Sequence, residues 1–109
     1  MPEHQDVLQR LYDTIAARKT ADPGSSYTAK LLHQGRPVIA KKMGEEAVET
    51  AIAAVAKDSD AVVAESADLI YHLLVLWADC GIEPDEVWNK LATREGTSGL
   101  VEKASRPQT

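Results

Sequence analysis

Apolar residues near the start of the chain recur at three and four. Val7, Leu8, Leu11, Tyr12 and Ile15 fall on one stripe, and the spacing predicts an amphipathic helix over 7–15. The segment ADPGSS at 21–26 is punctuated by Pro23 and Gly24 and reads as a loop, with Ser25 or Ser26 placed to cap the next element. A short helix is expected over 27–34. Gly35 stops it, and Pro37 suits the first turn of the next helix, which runs from Arg36 or Pro37 to Ala56. Beyond a polar break at 57–60, Ser59 or Asp60 can cap a helix over 61–79 that ends at Gly81. Pro84 opens a last, shorter helix to about Arg94, and a loop at 95–99 leads into a polar tail over about 100–109. No stretch carries a strand pattern of any length and there is no internal repeat. The expected class is all-α: one domain over 1–109, a helical bundle of four to five helices.

Acids interrupt this pattern in two places. The helix over 61–79 is apolar almost all the way round, which predicts burial on several sides, yet Glu65, Asp68 and His72 line up on it within about 60° of one another. On the preceding helix, in GEEAVET at 44–50, Glu45, Glu49 and Glu46 fall at about 0°, 40° and 100° and form one fan. Gly44 just before them costs about 1 kcal/mol against Ala, and its position points to close approach of another helix or a ligand. A solvated face would account for the triplet alone. It does not account for the pair, because carboxylates on a helix with hardly any solvent face need a neutralising partner. A hard divalent cation is the simplest one, and an all-oxygen set from two helices suits Mg²⁺ or Mn²⁺ better than Zn²⁺.

The cations nearby admit two readings. Lys42 falls at about 60° in the frame of the glutamate fan; it either pairs with a glutamate or holds a substrate phosphate beside the metal. Its neighbour Lys41 shares those alternatives with a plain solvated role. Lys30 and the cluster Ser25, Ser26, Tyr27 and Thr28 offer a phosphate cradle at a helix start, although capping explains the serines more simply. His72, four residues after Asp68, either orients that aspartate from behind or is a core histidine bonded to a carbonyl. Tyr71, Trp77 and Trp88 read as core or subunit-interface residues before base-stacking platforms. His4 and His33 carry no signal.

Size and charge narrow the function classes. A chain of 109 residues has a marginal core of its own, so association into a dimer or larger is expected. A formal charge of −5 and a pI near 5.1 argue against a general nucleic-acid binder. The single Cys80 makes no internal disulfide and no leader pattern opens the chain, which points to a reducing cytoplasm. The longest apolar run, at 69–78, is interrupted by Tyr71 and His72 and is roughly half of what a membrane helix needs. The expectation is a soluble protein.

Three segments, SYTAKLL at 26–32, KKMGEEAVE at 41–49 and ESADLIYHLL at 65–74, resemble the phosphoribosyl-ATP pyrophosphohydrolase family of histidine biosynthesis. The likeness runs from about Leu8 to Arg106. The E-E-x-x-E and E-x-x-D pair alone is the mark of the wider all-α, MazG-like nucleotide pyrophosphohydrolases, which include the dimeric dUTPases. The Ser-Tyr-Thr-x-Lys-Leu segment, the Lys-Lys-x-Gly lead-in, the Tyr71-His72 pair and the tail over 96–106 narrow it. The acidic positions show no departure from the family pattern. By that resemblance Glu46, Glu49, Glu65 and Asp68 are Mg²⁺ ligands, and Glu45 is a further ligand or the group that orients the attacking water. The resemblance also implies cleavage of phosphoribosyl-ATP to phosphoribosyl-AMP and pyrophosphate, a homodimer with the site near its interface, and, with nothing left over for a second domain, a monofunctional copy. A pyrophosphohydrolase cleaning up non-standard nucleoside triphosphates is the nearest rival. A di-iron bundle would need Glu-x-x-His spacing, which this chain lacks, and a non-catalytic acidic adaptor would show no dependence on divalent ions.

Overall fold

The computed structural model describes residues 2–95. The loop beyond Glu95 and the polar tail lie outside the described residues. Five α-helices succeed one another: α1 Pro2–Ala17, α2 Tyr27–Gln34, α3 Arg36–Val55, α4 Ser59–Cys80 and α5 Pro84–Ala92, with a 3₁₀ turn at Arg18–Thr20 after α1. No strand occurs among the described residues, and the chain is all-α.

The chain's punctuation sets the boundaries. Ser26 caps α2, its hydroxyl accepting from the Ala29 amide at 2.9 Å. Gly35, at φ 97°, ends α2 and starts α3 in a conformation that side-chain-bearing residues avoid. The cap of α4 is neither Ser59 nor Asp60. Asp58 holds extended backbone angles and its Oδ1 accepts from the Ala61 amide at 3.0 Å, so the helix begins at Ser59, two residues before the expected start. Asp60 then falls in the first turn, where the helix dipole favours an acid. The first helix is longer at both ends than its apolar stripe, and α5 stops at Ala92, two residues short of the expected Arg94.

A three-residue turn joins α3 to α4, so the two fold back as an antiparallel hairpin. Arg36 at the start of α3 meets Asp79 near the end of α4, Nε donating to Oδ2 at 2.8 Å and Nη2 to the carbonyl oxygen at 3.1 Å. The core gathers at that end of the hairpin: Tyr12 and Ile15 of α1, Leu31 of α2, Ile39 of α3, and Leu74, Val75, Trp77 and Ala78 of α4. Tyr12 is tied further, its hydroxyl donating to the Ile82 carbonyl at 2.6 Å, which fastens α1 to the turn between α4 and α5. Trp77 and Trp88 meet edge to face at 5.7 Å, in keeping with a packing role.

The other end of the hairpin is bare. Val48, Ile52 and Val55 on α3 and Val63 on α4 are exposed, so the apolar circumference of α4 is not covered on several sides within one chain. Nothing stands within 4 Å of a Cβ built on Gly44, and the close neighbour expected there is not supplied by the described residues. By length and composition α4, 22 residues with mean hydropathy 1.5, is the one helix among the described residues that passes for a membrane span, although its longest uninterrupted apolar run is shorter. Its buried residues form the core against α1 and α2.

Candidate metal centre

Helical geometry brings the two acidic groups together across the α3–α4 hairpin. One oxygen each of Glu46, Glu49 and Glu65 lies within 4.8 Å of the others. Glu46 and Glu65 are half-buried and Glu49 is exposed. Glu46 Oε2 and Glu65 Oε2 are both shut off from solvent with no hydrogen-bond partner among the described residues. Two buried carboxylate oxygens without partners, on residues of one cluster, call for a cation or protons.

In the bare chain the cluster favours a proton on Glu65. The Glu65 carboxyl is pushed from 4.5 up to about 7, first by its hydrogen bond with Glu49, then by burial, and then by Glu46. The donor set fits the expected metal. Three carboxylates converge from two helices with no nitrogen or sulfur among them, a set for Mg²⁺ or Mn²⁺ and not for Zn²⁺ or a histidine-bearing iron pair.

The other residues named by the sequence stand around this cluster. Asp68, one turn along α4, is exposed and is not part of the group. Glu45 is exposed at the edge, with Lys42 Nζ 3.9 Å from its Oε1, so the lysine inside the glutamate arc pairs with a glutamate in this state. Lys30 and Lys41 are exposed on α2 and α3. Ser25 bonds the Asp22 carbonyl at 2.6 Å and Ser26 is spent on the cap, so structural roles account for both hydroxyls. His72 is bonded to the Asp68 main chain. Its Nδ1 donates to the Asp68 main-chain carbonyl at 2.8 Å, the core-histidine alternative.

A groove of about 610 Å³ opens beside the cluster, lined by Gly44, Glu45, Val48, Glu49 and Ile52. Its lining sets the carboxylates of Glu45 and Glu49 beside the apolar Val48 and Ile52 of the same helix. The sequence pattern did not single out the contact between Thr28 Oγ1 and the Tyr71 hydroxyl, which joins α2 to α4. The signal was a hydroxyl and a phenol on two helices that no single-helix pattern relates.

Residues 8–95 match the family model described as phosphoribosyl-ATP pyrophosphohydrolase. The chain belongs to that family. The phosphoribosyl-ATP pyrophosphatase of Azospirillum brasilense is 65% identical over 100 residues, covering 92% of this chain and 90% of the relative. That of Caulobacter vibrioides (strain NA1000 / CB15N) is 64% identical over 101 residues, covering 93% and 94%. That of Paramagnetospirillum magneticum is 58% identical over 106 residues and covers 97% of both chains. The match to the phosphoribosyl-ATP pyrophosphohydrolase family takes in both acidic helices and the whole described core.

Proposed function

We propose that this chain hydrolyses phosphoribosyl-ATP to phosphoribosyl-AMP and pyrophosphate, the second step of histidine biosynthesis, as a soluble cytoplasmic homodimer that uses Mg²⁺. The observation that carries the reading is the convergence of Glu46, Glu49 and Glu65 in a chain of this family.

Splitting a phosphoanhydride needs neutralised charge and a positioned water more than covalent help. Bound Mg²⁺, with Mn²⁺ as a substitute, supplies charge neutralisation on the triphosphate and a more acidic water. Glu46, Glu49 and Glu65 would hold it, and Asp68 and Glu45 would remain for a second ion, since Mg²⁺ keeps several waters and takes few carboxylates each. Glu45, when not such a ligand, accepts a hydrogen bond from the attacking water and aligns it. Lys42, beside Glu45, together with Lys41 and Lys30, holds charge on the leaving pyrophosphate.

The dimer has a physical motive. Val48, Ile52, Val55 and Val63 stand 59, 63, 84 and 70% exposed on the bare half of the hairpin, and Val48 and Ile52 also line the groove. A second copy over this face would bury them and wall the groove. Sedimentation at micromolar concentration should give twice the 11.8 kDa chain mass.

Pyrophosphate release from phosphoribosyl-ATP, compared with dUTP, dCTP and ATP in Mg²⁺ and then in EDTA, tests the assignment. Selective, EDTA-sensitive release from phosphoribosyl-ATP is expected. Preference for a deoxynucleotide would move the function to nucleotide clean-up, and no release from any substrate would end the enzyme reading.

A further inference from the structure

Among the described residues His72 is the one buried polar side chain, 6% exposed, and the carboxylate chemistry does not use it. Its Nδ1 faces a carbonyl oxygen, which only accepts, so Nδ1 carries a hydrogen. In the neutral ring Nε2 is then an acceptor, and it is buried with no hydrogen-bond partner among the described residues. A buried acceptor of this kind is rare and calls for a donor from elsewhere.

Its surroundings are aromatic. The Tyr71 ring lies edge-on to the imidazole at 5.0 Å and the Tyr27 ring at 6.3 Å. The two tyrosines stack on each other at 6.4 Å. Tyr71 is anchored by its bond with Thr28. Tyr27, at the first position of α2 and 54% exposed, is the outer and less constrained ring. Glu65 and His72 are seven residues apart on α4, which places them about 20° from eclipsed and about 10.5 Å apart along the axis. A nucleotide whose phosphates lie at the carboxylates reaches that far with its nucleoside.

We propose that His72 Nε2 accepts a hydrogen bond from an O–H or N–H of the nucleoside half of the substrate, and that Tyr27 turns aside to stack against the same group. The inference rests on the phosphoribosyl-ATP reading and extends it to a specificity subsite. Substrates lacking the donor leave the buried nitrogen unpaired and are rejected for that reason.

The test compares H72N with H72Q. Asparagine keeps a donor near the Nδ1 position for the Asp68 carbonyl and deletes Nε2; glutamine reaches toward Nε2 and restores an acceptor there. In H72N, KM for phosphoribosyl-ATP is expected to rise about tenfold while kcat changes less than about threefold, the mark of lost ground-state binding. The Ki of phosphoribosyl-AMP should rise by the same factor and that of inorganic pyrophosphate should hold, with H72Q recovering most of the loss. Equal weakening of both products, or no change in a folded H72N, would overturn the proposal. A measurement on the wild type avoids any folding defect of the variants: with ¹⁵N-labelled histidine, the His72 Nε2 resonance should move on adding phosphoribosyl-AMP and stay on adding pyrophosphate. No movement with phosphoribosyl-AMP would equally overturn it. Failure of the wild type to hydrolyse phosphoribosyl-ATP would remove this inference together with the functional reading, whereas normal hydrolysis with an unchanged H72N would remove this inference alone.

Discussion

The two halves of the α3–α4 hairpin are built from similar residues and end in opposite conditions. At the end clasped by Arg36 and Asp79, Ile39, Leu74, Val75 and Ala78 are all 0% exposed under α1 and α2. At the turn end, Val48, Ile52, Val55 and Val63 face outward with the carboxylates among them. One half spends its apolar surface on stability and the other keeps it available. The carboxylate cluster lies in the half that one chain does not need for its core, so substitutions at the carboxylates and in the core should affect different properties.

The largest effect expected is in the open half. E65Q, E46Q or D68N should lower turnover by at least about a hundredfold, through loss of charge stabilisation in the transition state. The thermal midpoint of E65Q or E46Q should hold or rise, because crowding of like charges within 4.8 Å is relieved. Full pyrophosphate release in these variants would remove the metal reading. In the closed half, Leu74→Ala should cost about 2–5 kcal/mol in urea unfolding, the range for a fully buried leucine. A cost below about 1 kcal/mol would mean that the two halves do not differ as described.

A subtler contrast comes from pH. With the folded Glu65 pKa near 7 and its ordinary value at 4.5, the folded chain binds the extra proton more tightly than the unfolded one. That contribution to stability is fully present below about pH 4.5 and is lost as pH rises to about 7. The metal-free protein should therefore lose thermal stability across that window, while E65Q should not, as followed by circular dichroism. Divalent ions compete with the proton, so their affinity should climb over the same range.

The smallest effect lies at the turn. Lys57 sits at φ 60°, a left-handed position at the end of α3 that glycine fills without strain. Asp58 N bonds the Ala53 carbonyl at 3.1 Å and Lys57 N the Ala54 carbonyl at 3.0 Å, so the geometry is fixed by the backbone. Lys57→Gly should stabilise by up to about 1 kcal/mol and leave activity alone.

Much of this was legible in the residues. Helix α2 matched its expected bounds because Ser26 and Gly35 act within a turn of their own positions. Helical angles grouped the acids on one face of each helix, and only the packing of α3 against α4 brings Glu46, Glu49 and Glu65 together. The cap at Asp58 was not separable from Ser59 and Asp60, since all three side chains can accept and only the backbone angles decide. The bare half of α4 was hidden for another reason: periodicity tells which residues are apolar, not what covers them. Nor do angles within one helix give its rotation against another, which is why Asp68 could not be told apart from Glu65, and the bond from Thr28 to Tyr71 could not be seen.

Everything proposed for the open half of the hairpin depends on its holding a divalent ion with carboxylates from both helices, and Mn²⁺ binding followed by electron paramagnetic resonance reads that out without substrate. The wild type should quench the free Mn²⁺ signal stoichiometrically, Mg²⁺ should restore it by competition, and E65Q should bind far more weakly. Equal Mn²⁺ binding by the wild type and by folded E65Q would mean that the two helices do not share an ion.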